Sequence, residues 1–148
     1  MDANKIKELR DKTGLSFNHI KKALEEAGDN IDKAIEALKS QGASVADRKS
    51  SRQVKDGVVE TYVHSTRKVG CILELLCETD FVARNEEFRS LARELAMHIT
   101  AMKPTNAEEL VAQQYIRDPS LTVKNFIDQH VAKLGENIQV GRFDIYEI

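Results

Sequence analysis

Residues 69–77 run Val69-Gly70-Cys71-Ile72-Leu73-Glu74-Leu75-Leu76-Cys77, and residues 78–88 continue Glu78-Thr79-Asp80-Phe81-Val82-Ala83-Arg84-Asn85-Glu86-Glu87-Phe88. In the first part the apolar period is two. Val69, Cys71, Leu73, Leu75 and Cys77 line one face of a strand, with Ile72 and Leu76 on the other, so this strand is expected to be buried on much of both faces. From Asn85 the period becomes that of a helix: Phe88, Leu91, Ala92, Leu95, Ile99 and Met102 share one stripe, which Pro104 ends. A buried strand followed closely by a long amphipathic helix calls for a sheet with helices packed on it.

The flanks supply the rest of that sheet. Upstream, Val59, Thr61 and Val63 alternate with Val58, Glu60 and Tyr62, and Ser65-Thr66-Arg67-Lys68 makes the turn of a hairpin. Downstream, an irregular stretch runs through Asp118-Pro119. A second helical stripe follows at Val123, Phe126, Ile127, Val131 and Leu134, closed by Gly135. A last strand spans residues 138–147. Its apolar residues change parity, Ile138 and Val140 against Phe143 and Ile145, which places a bulge near Gly141. Residues 57–148 therefore read β-β-α-α-β: helices packed on one three-stranded antiparallel sheet, an α+β fold.

Residues 1–42 read as a separate module of three short helices. Ile6, Leu9 and Thr13 form one stripe that Gly14 stops. Ser16 caps a second helix carrying Phe17, Ile20 and Leu24, ended by Gly28. Asp29 or Asn30 caps a third, with Ile31, Ala34, Ile35 and Leu38 inward and Gly42 beyond its end. None would be stable alone at such length, so they must pack together, in a way that resembles the ubiquitin-associated type of bundle. Residues 43–56 are small, polar and locally basic, which predicts a linker between the two domains.

Composition narrows the function. A chain of 148 residues buries roughly 70% of its unfolded surface, enough for a real core. With 22 basic and 24 acidic residues the net charge is −2, which gives no global attraction to nucleic acid or anionic membrane. No apolar run approaches the roughly 20 residues needed to cross a bilayer. The amino terminus lacks a charged-then-apolar signal pattern, so a cytoplasmic location is expected. Cys71 and Cys77 lie about 20 Å apart along one strand, too far for a disulfide, and read as buried thiols. His19, His64, His98 and His130 form no metal-spaced pair and are expected at ordinary helix-surface or sheet positions. There is no Gly-rich phosphate loop. Neither a catalytic residue nor a metal or cofactor site is expected.

The connection between strand and long helix is the segment with functional content. Asn85 is the natural cap of the helix, and Thr79 would cap a single preceding turn holding Phe81 and Val82. Phe81 has two readings. It folds back as a hydrophobic staple under the helix, or it projects as an aromatic anchor with the Asp80 charge beside it.

The segment Thr79-Asp80-Phe81-Val82-Ala83-Arg84-Asn85 resembles the signature of elongation factor Ts. Lys133-Leu134-Gly135-Glu136-Asn137-Ile138 is similar to the second characteristic segment of that family. Leu9-Arg10-Asp11-Lys12-Thr13-Gly14 and Lys21-Lys22-Ala23-Leu24-Glu25-Glu26 are similar to its amino-terminal module. The run Leu15-Ser16-Phe17-Asn18-His19-Ile20 and the pair Gly141-Arg142 depart from the family's usual residues. The resemblance implies a guanine-nucleotide exchange factor that binds elongation factor Tu, inserting Asp80 and Phe81 near the magnesium and nucleotide site. It further implies that Thr79, Val82, Leu134 and Gly135, and from the bundle Arg10, Leu15 and Phe17, face that partner. Long members carry a second core repeat and a helical insertion, which do not fit in 148 residues. Short members pair as homodimers through the β-sheet, and the same is expected here.

Two other readings are weaker. Ubiquitin-binding bundles present a Met-Gly-aromatic loop, whereas Thr13-Gly14-Leu15 lacks both the methionine and the aromatic. A nucleic-acid surface at Arg48, Lys49, Arg52 and Lys55 is offset by Asp47 and Asp56, with no aromatic interleaved.

Overall fold

A computed structural model describes residues 2–13 and 15–148; Gly14, expected to stop the first helix, lies outside the described residues. The chain opens with three helices, α1 (Ala3–Thr13), α2 (Phe17–Glu26) and α3 (Ile31–Lys49). Ser16 caps α2 by accepting from the His19 N–H, and Asn30 caps α3 by accepting from the Lys33 N–H. Ile6, Leu9, Ile20, Ala23, Leu24, Ala34 and Leu38 meet in one apolar cluster, with Leu15, Ile31 and Ile35 against it.

The third helix departs from expectation. It does not end at Gly42 but runs on to Lys49, so half of the stretch read as a linker is helical. The reason is tertiary. The carboxy-terminal half of α3 packs along α7 (Val123–Leu134), and Ala46 is buried in the second, larger cluster. Lys39 adds a tie by donating to the carbonyl of Ser120 at 2.7 Å.

The sheet has order β1-β2-β5, all antiparallel, from β1 (Asp56–Val63), β2 (Val69–Cys77) and β5 (Gln139–Glu147). On β5 the register steps from Val140 opposite Leu75 to Phe143 opposite Leu73, so Gly141 and Arg142 together face Glu74. This is the bulge the change of parity requires. Arg142 uses it to reach Glu74, its Nε 2.9 Å from Oε1, and that ion pair holds the Glu74 carboxyl below its usual range.

Between β2 and β5 the chain is richer than β-α-α-β. It forms α4 (Asp80–Ala83), α5 (Glu86–Met102), α6 (Ala107–Ala112), a short hairpin of β3 (Gln114–Tyr115) and β4 (Asp118–Thr122), then α7. The stretch expected to be irregular thus holds α6 and the hairpin. Helix α5 lies across β1 and β2, and its Phe88, Leu91, Ala92, Leu95 and Ile99 meet Cys71, Leu73, Leu75 and Cys77. Met102, at the end of that stripe, is exposed instead.

Two expectations are corrected here. Strand β2 is buried on one face only. Its other face carries Ile72 at 42% exposure, beside Val59 at 67% and Val63 at 58% on β1. His98 is not at a helix surface but fully buried. Its Nε2 lies 2.9 Å from the Gln113 Oε1, and its Nδ1 accepts from the Ile116 N–H at 3.2 Å. These bonds hold the β3–β4 hairpin to α5, and burial pushes the imidazole pKa down. No helix is long and apolar enough to cross a membrane among the described residues.

Candidate functional site

Where β2 leaves the sheet, Thr79 turns the chain. Its side chain accepts from the Val82 N–H and so caps α4, while its backbone carbonyl accepts from the Ala83 N–H at 3.1 Å. One residue after Ala83–Arg84, Asn85 caps α5 by accepting from the Glu87 N–H at 2.8 Å. Two caps within seven residues force a tight corner, and the helical turn between them has one side in the core and one in solvent.

Phe81 takes the solvent side. It is 84% exposed, which rules out the folded-back staple. It is more exposed than Phe17, Val59, Val63 or Ile72, the other apolar side chains open to solvent on the bundle and the sheet face. Val82, expected among the partner-facing residues, is turned the other way. It is buried with Ala83 in the larger cluster, because successive helical residues point about 100° apart. Asp80 stays in solvent beside Phe81, its Oδ2 2.8 Å from the Arg84 Nε across one helical turn.

The second segment lies at the end of α7. Leu134 is half-buried and Gly135 follows in the left-handed conformation, φ 78°, with its N–H on the Val131 carbonyl. A Cβ there would meet nothing within 4 Å, so only the backbone conformation asks for glycine. Beyond it, Glu136 reaches back to the α4 corner. Its Oε2 accepts from the Thr79 hydroxyl at 2.6 Å. The structure therefore brings together Thr79, Asp80 and Phe81 on one side and Leu134 and Gly135 on the other. Cys77, the last residue of β2, lies under this corner, and its thiol, buried and close to the Glu136 charge, is pushed up to about 11. It is held protonated and donates to the Thr79 carbonyl.

From the bundle, Arg10 is exposed and Leu15 is half-buried against the bundle's own cluster. Both line a groove whose opposite wall is Glu87, Ala132 and Lys133. Lys133 and Glu87 bridge at 2.7 Å, and Lys133 immediately precedes Leu134. The bundle residues are thus brought to the edge of the same region. Phe17, the first residue of α2, is exposed outside that lining. Glu136 directly follows Leu134-Gly135 in the chain, and only the fold brings its carboxylate to Thr79. Among the described residues no three His, Cys, Asp or Glu side chains are grouped to hold a metal ion.

Comparison with known proteins matches this sequence to one family. A family model described as "Elongation factor TS" matches residues 78–148, beginning at the corner itself. Elongation factor Ts of Thermotoga petrophila is 37% identical over 186 aligned positions, covering 97% of this chain and 94% of that protein. That of Thermodesulfovibrio yellowstonii is 36% identical, covering 99% and 95%. The Aquifex aeolicus protein is 42% identical over 147 positions, and these amount to 51% of its length. An alignment of 186 positions exceeds the 148 residues here, so the Thermotoga protein carries stretches with no counterpart in this chain.

Proposed function

This chain belongs to the elongation factor Ts family of translation elongation factors, and from that premise we propose that it is a guanine-nucleotide exchange factor for elongation factor Tu. The observation that carries the reading is the exposure of Phe81 at the tip of a capped turn, with a carboxylate beside it. In this reading Phe81 and Asp80 enter the partner's nucleotide domain near the magnesium site. Burying the ring supplies roughly 1.5–3 kcal/mol, available to hold a partner conformation that binds GDP weakly. Linkage is reciprocal: what the factor does to GDP affinity, GDP does to factor affinity. Such a mechanism needs no nucleophile, base or cofactor from this chain.

Thr79 frames the wedge, Leu134 and Gly135 extend the contact, and Arg10, Leu15 and Phe17 of the ubiquitin-associated-like bundle supply a second one. Val82 acts from beneath, as the packed base of the turn. The chain divides functionally into this bundle and a core beginning near residue 57, joined by the long α3 and the segment after it. The open sheet face carrying Val59, Val63 and Ile72 supports homodimerisation, sheet against sheet. The protein works in the cytoplasm, with no nucleic acid or membrane as partner.

The test is release of a fluorescent GDP analogue from purified elongation factor Tu, with and without catalytic amounts of this protein. Strong acceleration is expected. No acceleration by a protein shown to be folded would overturn the reading.

A further inference from the structure

Glu136 belongs to neither proposed contact segment, yet it is bonded to one and follows the other in the chain. Its Oε1 accepts from the backbone N–H of Glu78 and of Thr79, each at 3.0 Å, and its Oε2 accepts from the Thr79 hydroxyl at 2.6 Å. The exchange is returned: the Glu78 Oε2 accepts from the Asn137 N–H at 3.1 Å. Sheet geometry accounts for the pattern. Leu76 and Gln139 are the last paired residues of β2 and β5. Past them the chains splay, and two glutamate side chains take the place of the backbone ladder.

The consequence runs through a single hydrogen. The Thr79 hydroxyl has one to give, and Glu136 takes it. The oxygen is then aimed to accept from the Val82 N–H at 3.3 Å, the bond that caps α4. A helical turn of four residues has little stability of its own, so its order depends on the cap and on the core beneath Val82 and Ala83. Hydrogen bonds to a carboxylate are about twice as strong as neutral ones, which suits Glu136 to the task.

We propose that Glu136 is a positioning residue of the exchange site. It fixes the Asp80–Phe81 turn against the Leu134–Gly135 segment, so that both contact surfaces are ordered before the partner arrives. This rests on the exchange-factor reading above, and it assigns Glu136 no contact with nucleotide. Pre-ordering has a kinetic signature distinct from that of the wedge itself. If only a tenth of molecules hold the turn, the half-saturating concentration rises about tenfold while the rate at saturation is kept. Losing Phe81 instead lowers the rate at saturation.

The experiment compares the intact protein, Glu136→Ala, Glu136→Asp, Thr79→Val, Thr79→Ser and Phe81→Ala. Each is read by GDP release over a range of factor concentrations and by amide hydrogen exchange of residues 82–85. Glu136→Ala is expected to raise the half-saturating concentration about tenfold, keep the saturating rate and speed exchange at those amides, leaving α5 protected. Thr79→Val is expected to speed the same amides and Thr79→Ser to restore their protection, with Glu136→Asp falling between Glu136→Ala and the intact protein. A half-saturating concentration within twofold of the intact protein's, with unchanged amide protection, overturns the proposal, as does a fall in the saturating rate alone. If the intact protein does not accelerate GDP release from elongation factor Tu, the exchange-factor reading fails separately, and amide protection alone decides whether Glu136 orders the turn. Should Glu136→Ala not fold, Glu136→Asp carries the test, because it keeps the charge and withdraws the carboxylate from the Thr79 hydroxyl by one methylene.

Discussion

Asp80 and Arg84 are joined across one turn of α4, carboxylate to guanidinium at 2.8 Å, and both remain mostly in solvent. An exposed pair at this spacing stabilises a helix by about 0.3–0.5 kcal/mol and is screened by salt. In the proposed exchange mechanism, the pair sets where the Asp80 charge sits before binding. Arg84→Ala is expected to change unfolding free energy by less than about 0.5 kcal/mol in urea titration. The dependence of GDP release on salt should change more than the fold does. A loss of several kcal/mol would show that Arg84 is structural.

Phe81 and Phe88 lie seven residues apart and have opposite fates, one 84% exposed and the other fully buried against β2. Phe81→Ala is expected to leave stability within about 0.5 kcal/mol, as surface substitutions do, while abolishing accelerated GDP release. Phe88→Ala removes a core ring and should cost about 3–5 kcal/mol. Equal destabilisation by the two in a chemical denaturation series would make Phe81 a core residue in solution.

The sheet's open face gives a third outcome. Val63→Glu adds a charge beside Ile72, on the exposed face of the sheet. Sedimentation is expected to find the unmodified protein as a dimer and the variant as a monomer. A variant that remains dimeric places the interface elsewhere.

Much of this architecture is legible in the sequence because it rests on long periods. The two-residue alternation of β2, the stripe of α5 and the parity change at Gly141 each have a single physical solution. Short elements are not legible in this way: α6 has six residues and β3 only two, too few to show a period. His98 lies inside because the groups that satisfy it, the Gln113 side chain at the end of α6 and the Ile116 N–H in the hairpin, come from these short elements. At the site, the motif points to Asp80 and Phe81 directly. That Val82 turns inward follows from the short turn that Thr79 caps, and that Glu136 ties the corner depends on a tertiary approach between residues 57 apart in the chain.

Buried neutral histidine makes stability depend on pH. Burial lowers the folded-state pKa of His98 below 6.5, and it lowers that of His130 likewise. The unfolded chain therefore binds more protons once pH falls below about 6.5. The stabilisation is fully present above that pH and is lost as pH falls from there toward the folded-state values. Urea unfolding at pH 7.5 and 5.5 is expected to show the lower stability at 5.5, and His98→Gln should reduce the difference. A flat profile across that window would mean that neither ring resists protonation.

Gly42, expected beyond the end of the third helix, lies inside it. The stripe Ile31, Ala34, Ile35, Leu38 continues through Gly42 to Val45 and Ala46, so packing on α7 overrides the local preference of one glycine. A methyl at this position would lie 3.7 Å from the Asp128 carbonyl oxygen and 3.9 Å from the Gln129 nitrogen, ordinary contact distances. Its backbone is helical, so alanine fits without strain and also restricts the unfolded chain. Gly42→Ala is expected to stabilise the protein by about 0.5–1 kcal/mol, seen as a higher urea midpoint at unchanged slope. Destabilisation would mean that α3 and α7 approach more closely in solution than these distances allow, leaving no room for the methyl group.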